Sequence, residues 1–86
     1  MSARPRTMTT DMAEAAAVAA FRVAPNSPHT AIAERWMVRC LASTRKGDYP
    51  TAGRHAQRAE QAAYRAGATY SQIADLADSY LAERES

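Results

Sequence analysis

An all-α fold, a small bundle of four helices joined as consecutive antiparallel hairpins, follows from three observations. Apolar residues recur at helical spacing wherever they cluster, and no stretch alternates with period two as a half-buried strand would. Of the 86 residues 21 are alanine, the strongest helix former. The breakers fall in three short groups, which place loops near residues 24–27, 46–48 and 67–69 and leave four segments of helical length between them.

The first helix is predicted from about Thr10 to Val23, with Asp11 and Glu14 at capping-box spacing and aspartate in the capping role. Met12, Ala16, Ala19 and Val23 share a face, flanked by Phe21. Pro25-Asn26-Ser27-Pro28 stops this helix and starts the next, Ser27 as cap and Pro28 at the first helical position. The second helix is predicted from Pro28 to Arg45. Ile32, Trp36 and Cys40 repeat every four residues, with Ala33, Met37 and Leu41 one residue on, and together they make a wide apolar stripe. Trp36 is expected at the centre of the core. Arg35 and Arg39 fall off the centre of the stripe. Gly47 offers a left-handed stop, with Arg45 and Lys46 favourably placed at the helix C-terminus.

Asp48 caps the third helix and Pro50 lies in its first turn. A ladder of small residues follows at spacings of four, three, four and three: Ala52, Ala56, Ala59, Ala63 and Ala66. Such a stripe lets two helix axes approach closely. Gly67 ends the helix, and Thr69 with Gln72 forms a capping-box pair for the fourth, in which Ile73, Leu76, Ala77, Tyr80 and Leu81 face inward. The domain reading is a flexible arm over residues 1–9 and one helical domain over 10–86.

A chain this short buries a limited share of its surface. Alanine makes up much of the 47% hydrophobic fraction, and it removes little area from water. A partner or a second copy is expected to supply part of the stability. The net charge of +2 is too mild to imply nucleic acid by itself, but the distribution is uneven. Arg35, Arg39, Arg45, Lys46, Arg54, Arg58 and Arg65 are opposed in their stretch only by Asp48 and Glu60; from Tyr70 onward Asp75, Asp78, Glu83 and Glu85 face Arg84 alone. A basic middle and an acidic end attract each other within a chain or between chains. The lone Cys40 gives no disulfide framework and reads as a small buried hydrophobe, which fits a reducing, cytoplasmic setting. No run approaches a membrane span. Arg4 and Arg6 ahead of Ala13–Ala20 loosely suggest a signal peptide, but Asp11 and Glu14 interrupt the would-be apolar region. The alanine richness is that of a GC-rich genome and suggests a bacterial origin.

From Ala33 to Leu81, about one and a half units, the chain resembles the tetratricopeptide repeat, a helical hairpin of 34 residues. Trp36 sits at the unit's tryptophan position, and Gly47-Asp48-Tyr49 resembles the turn between its helices. Ala52 and Ala59 match the small residues at the crossing. Tyr70, 34 residues after Trp36, takes the tryptophan position of a next unit, followed by Ile73 and Ala74 in place of its Leu-Gly pair. Arg39, Cys40, Ser43, Ala56 and Tyr64 depart from the pattern. The resemblance implies binding of a partner's peptide or helix, with Arg35 and Arg39 as contact residues.

A second resemblance points elsewhere. Gly67 to Ala74 is similar to the first helix of helix-turn-helix regulators, with Ile73 and Ala74 packing inward. No glycine-bearing turn and recognition helix follow, and the remaining carboxylates Asp78, Glu83 and Glu85 would repel phosphates. Nucleic-acid contact would instead use Arg35, Arg39, Arg54 and Arg58 on neighbouring helices, with Arg4 and Arg6 as an arm.

Nothing in the chain suggests catalysis. His29 and His55 have neither a second histidine nor a cysteine at metal-ligand spacing. Asp75 and Asp78 share a face of a short helix and read as solvated charges, and three scattered glycines make no phosphate loop. The expected function is therefore a non-catalytic protein–protein interaction module or adaptor, which docks a partner helix or self-associates. It needs no cofactor, metal, membrane or small-molecule substrate. The alternative is a small DNA-binding transcriptional regulator that uses the arginine-rich face. In both readings the contact residues are Arg35, Arg39, Arg54 and Arg58.

Overall fold

A computed structural model describes residues 7–85. Four helices follow one another: α1 (Met8–Val23), α2 (Pro28–Arg45), α3 (Tyr49–Ala66) and α4 (Tyr70–Glu85). There is no strand among the described residues. The all-α bundle and its three loops are as the sequence predicts.

Most helix ends use the predicted chemistry. The Ser27 side chain accepts from the His29 N–H at 3.1 Å, with Pro28 in the first turn. Asp48 accepts from the Thr51 N–H at 3.3 Å. Thr69 and Gln72 satisfy each other's backbone N–H reciprocally, at 2.9 and 3.2 Å. Two glycines close the helix C-termini. Gly47 (φ +78°) and Gly67 (φ +109°) adopt the left-handed conformation that other residues enter only at a cost. Around each, paired bonds close the turn: Gly47 N–H to Thr44 with Asp48 N–H to Ser43, and Gly67 N–H to Tyr64 with Ala68 N–H to Ala63.

The start of α1 differs from expectation. The cap is Thr7, not Asp11. Thr7 and Thr10 form the capping box, each hydroxyl accepting from the other's backbone N–H at 3.1 and 3.0 Å. The helix thus begins at Met8, inside the expected arm, whose residues 1–6, Arg4 and Arg6 included, lie outside the described residues. Two threonines at i and i+3 close the box here, and Asp11 is left to pair with Arg84.

α1 is the central helix: α2, α3 and α4 all pack on it, and α2 and α3 pack on each other. Ala13, Ala15, Ala16, Ala17, Ala19 and Ala20 are all buried, so α1 is enclosed on nearly every side. Apart from Cys40 and Ile73, every buried apolar residue described is an alanine. The ladder on α3 is buried at Ala52, Ala56, Ala59 and Ala63, with Ala66 half-buried and Ala62 buried beside it. Small side chains let the helix axes come close, so cohesion arises from many short backbone-near contacts rather than from large side chains. Larger residues, Ile32, Trp36, Met37, Leu76 and Tyr80, ring this alanine centre half-buried. Trp36 is among them rather than at the centre, because alanine-to-alanine approach leaves no interior space for an indole.

α4 leaves α3 through a three-residue turn but takes its packing surface from α1, so the expected α3–α4 hairpin is not packed as a pair: the buried face of α4 lies against the alanine-rich α1 instead. The two run antiparallel. Arg84 pairs with the buried carboxylate of Asp11, Tyr80 and Glu83 lie beside Glu14, and Gln72 lies beside Val23. Tyr70 is 65% exposed. Thr30 joins α2 to the end of α1: its hydroxyl donates to the Ala24 carbonyl at 2.6 Å and lies 3.3 Å from that of Ala20, satisfying carbonyls that the helix end leaves open.

Candidate binding face on α2 and α3

Trp36 organises the outer face of the α2–α3 hairpin. On α2, Arg39 lies three residues on, and its guanidinium carbon sits 4.8 Å from the indole centroid. On α3, His55 meets the indole edge-on, centroids 5.3 Å apart and planes at 64°. One turn further along α3, Arg58 places its guanidinium carbon 5.8 Å from the same ring. Both cations lie within reach of the ring quadrupole, which holds them without neutralising them. Arg35 joins Ile32, Trp36 and Arg39 around a shallow groove of about 220 Å³. His55 Nδ1 is enclosed beside the indole and takes part in no hydrogen bond.

Of the four arginines singled out from sequence, Arg35, Arg39 and Arg58 are therefore brought around one aromatic ring. Arg54 stands one turn before Arg58 on α3, and its guanidinium donates to the Thr51 hydroxyl at 3.1 Å. Among the described residues none of the four lies within ion-pair distance of a carboxylate. All four are exposed. Asp48, at the hairpin turn, is the carboxylate that feels the charge of Arg54. Its own carboxyl is held below the usual range chiefly by the hydrogen bonds it accepts from Thr51. Glu60, further along α3, is pushed up by burial, partly offset by the Tyr64 hydroxyl that donates to it at 3.4 Å.

The role of Trp36 as the floor of this face was not foreseen. A signal existed in its spacing from Arg35 and Arg39 on one helix, but Arg58 and His55 reach it only through the packing of α3. A second concavity, about 360 Å³, lies between α1 and α4, lined by Ala19, Arg22, Val23, Gln72, Asp75 and Leu76. Cys40 is fully buried, and burial pushes its thiol up, away from the reactive thiolate. Among the described residues no group of three or more His, Cys, Asp or Glu is gathered as a metal site would require, and no helix is long and apolar enough to cross a membrane.

Comparison of the chain with protein-family models, with curated proteins and with solved structures finds no match. What the face does is therefore argued from its chemistry. Planar guanidinium groups, fixed against an indole and lacking carboxylate partners, are pre-ordered donors for carboxylates or phosphates.

Proposed function

We propose that this chain is a non-catalytic protein–protein interaction module of the cytoplasm, an adaptor that seats an acidic helix on its α2–α3 face. The observation that carries the reading is the convergence of Arg35, Arg39 and Arg58 on the half-buried Trp36, with no carboxylate within ion-pair distance of them among the described residues. An aromatic anchor flanked by arginines is the composition of an interface hot spot. The sequence resemblance of Ala33–Leu81 to the tetratricopeptide repeat points the same way, since such units hold a partner's helix. Arg35, Arg39 and Arg58 are the contact residues, with Arg54 at the edge.

The test is fluorescence anisotropy of a labelled amphipathic peptide with glutamates at helical spacing. Micromolar binding that is lost in Trp36→Ala and in Arg39→Glu/Arg58→Glu supports the reading; absence of binding to the wild-type chain overturns it.

Nucleic-acid binding is the second reading. It draws on Arg54 and Arg58, exposed and four residues apart on one helix face, which suits two successive phosphates. A labelled random duplex at about 50 and about 200 mM salt separates the two, because phosphate contacts release counterions and weaken steeply with salt.

A further inference from the structure

We infer that the acidic helix seated on the α2–α3 face is α4 of a second copy of the chain; this rests on the reading of that face as a docking surface. Within one chain α4 packs on α1 and only marginally touches the α2–α3 pair, so its outer acidic stripe is not packed against the arginines of that pair. The attraction implied by a basic middle and an acidic end is left for another molecule.

The outer side of α4 suits the groove. Ser71, Asp75, Asp78, Ala82 and Glu85 are all exposed and follow one another at spacings of four, three, four and three, so they form one stripe. Arg84, the helix's only cation, is engaged with Asp11 and does not neutralise that stripe. Asp75, Asp78 and Glu85 have no ion-pair partner among the described residues; Arg22 shares a groove with Asp75 without pairing to it. Asp75 and Asp78 stand about 4.5 Å apart along the helix axis, and each arginine pair, Arg35/Arg39 and Arg54/Arg58, spans about 6 Å on its own helix. One turn of acid thus matches in length one turn of base on each of the two helices. Serine and alanine in the rest of the stripe allow close approach over the indole. α4 is also the least enclosed helix, burying only Ile73 and Ala77, so its free side gains most from a second surface.

Sedimentation equilibrium of the full chain at about 50 and about 500 mM salt tests this, because the contact is electrostatic and partly exposed. The expected result is a weight-average mass at least double the monomer's at low salt and high protein concentration, falling to the monomer's at high salt. Asp75→Lys/Asp78→Lys, which alters exposed residues only, should be monomeric, as should Arg39→Glu/Arg58→Glu. An equimolar mixture of the two variants should regain the doubled mass. Helicity by circular dichroism confirms that each variant is folded; if the arginine variant is not, the aspartate variant alone decides.

A monomeric wild-type chain under all conditions overturns the inference, as does association indifferent to Asp75→Lys/Asp78→Lys. If that monomer still binds the glutamate peptide, the docking face stands and only the identity of its occupant falls. If it binds neither, both fall, and salt-sensitive binding of the DNA duplex in their place assigns the face to nucleic acid.

Discussion

The α2–α3 hairpin and the α1–α4 pair are both antiparallel helix pairs on one alanine-rich centre, yet they are held in different ways. The hairpin is local. A turn closed by Gly47 sets its geometry, the alanine ladder of α3 is buried, and its large residues, Trp36 and His55, are only half-buried, with Arg39 and Arg58 against the indole. The α1–α4 pair joins the two ends of the described chain. Its fixed points are the fully buried Ile73 and the Asp11–Arg84 pair, 73 residues apart in sequence. Where contacts are local, a few small residues suffice to set the packing, and large side chains are left over for the outer surface. Where they are distant, a large apolar residue and a charge pair with a buried carboxylate are spent on docking the helix.

The largest loss of stability is expected at Ile73. It is the largest fully buried side chain, and its removal leaves a cavity between α4 and the rest. Ile73→Ala should cost about 2–5 kcal/mol, the range for deleting a buried isoleucine. Chemical denaturation reads the loss; a cost below about 1 kcal/mol would mean that α4 is barely docked.

Trp36→Ala should cost less, about 2 kcal/mol, despite the larger side chain, because the indole is only half-buried and lies over the hairpin instead of inside it. Full burial would carry a cost of about 3–5 kcal/mol, so the measured value places the ring directly. The same substitution should abolish binding of the acidic peptide, whereas Ile73→Ala should leave binding intact in whatever fraction stays folded.

Thr30→Val sharpens the comparison where the two halves join. It is close to isosteric but withdraws the hydroxyl from the Ala24 and Ala20 carbonyls at a buried site. A loss of about 1–2 kcal/mol is expected, the cost of leaving a buried acceptor unpaired. No change in the denaturation midpoint would show that water takes over those carbonyls.

These residues also show what could be read in advance. The turns and most caps were legible, because Ser27, Asp48, Gly47, Gly67 and the Thr69/Gln72 pair act on backbone groups within a few residues of themselves. Arg35 and Arg39 were legible as charges off the apolar stripe of α2, whereas the approach of Arg58 to Trp36 depends on how α3 packs. The partner of α4 was not. With alanine at 13, 15, 16, 17, 19 and 20, α1 presents a small apolar surface in every direction, so periodicity could not say which helix lies on which side. The pairing of Asp11 with Arg84 has no sequence signature at all, and Asp11 looked like a cap because it stands at the right distance from Glu14. Trp36 was misplaced for a related reason. A tryptophan on an apolar stripe ordinarily marks the interior, but an interior made of methyl groups has no room for one.

The smallest expected effect concerns two carboxylates on the hairpin whose shifts have opposite sign. Asp48 is exposed, and its carboxyl is held below its ordinary value of 3.8 by the hydrogen bonds from Thr51. The unfolded chain therefore binds this proton at higher pH than the folded one, so the contribution of Asp48 is complete at neutral pH and is lost as pH falls through the lowered folded value. Glu60 is raised above 4.5 by burial. The folded chain binds its proton first, so Glu60 weakens the fold at neutral pH and the penalty lifts as pH falls through its raised value. Asp48→Asn keeps an acceptor at the cap but removes the charge. Its melting temperature should lie slightly below wild type at about pH 7 and meet it at about pH 2, where both side chains are neutral. Glu60→Gln should lie slightly above wild type at about pH 7 and meet it on the same descent. If the Asp48→Asn difference is instead the same at both pH values, the cap acts through hydrogen-bond geometry alone and its charge adds nothing to the turn between α2 and α3.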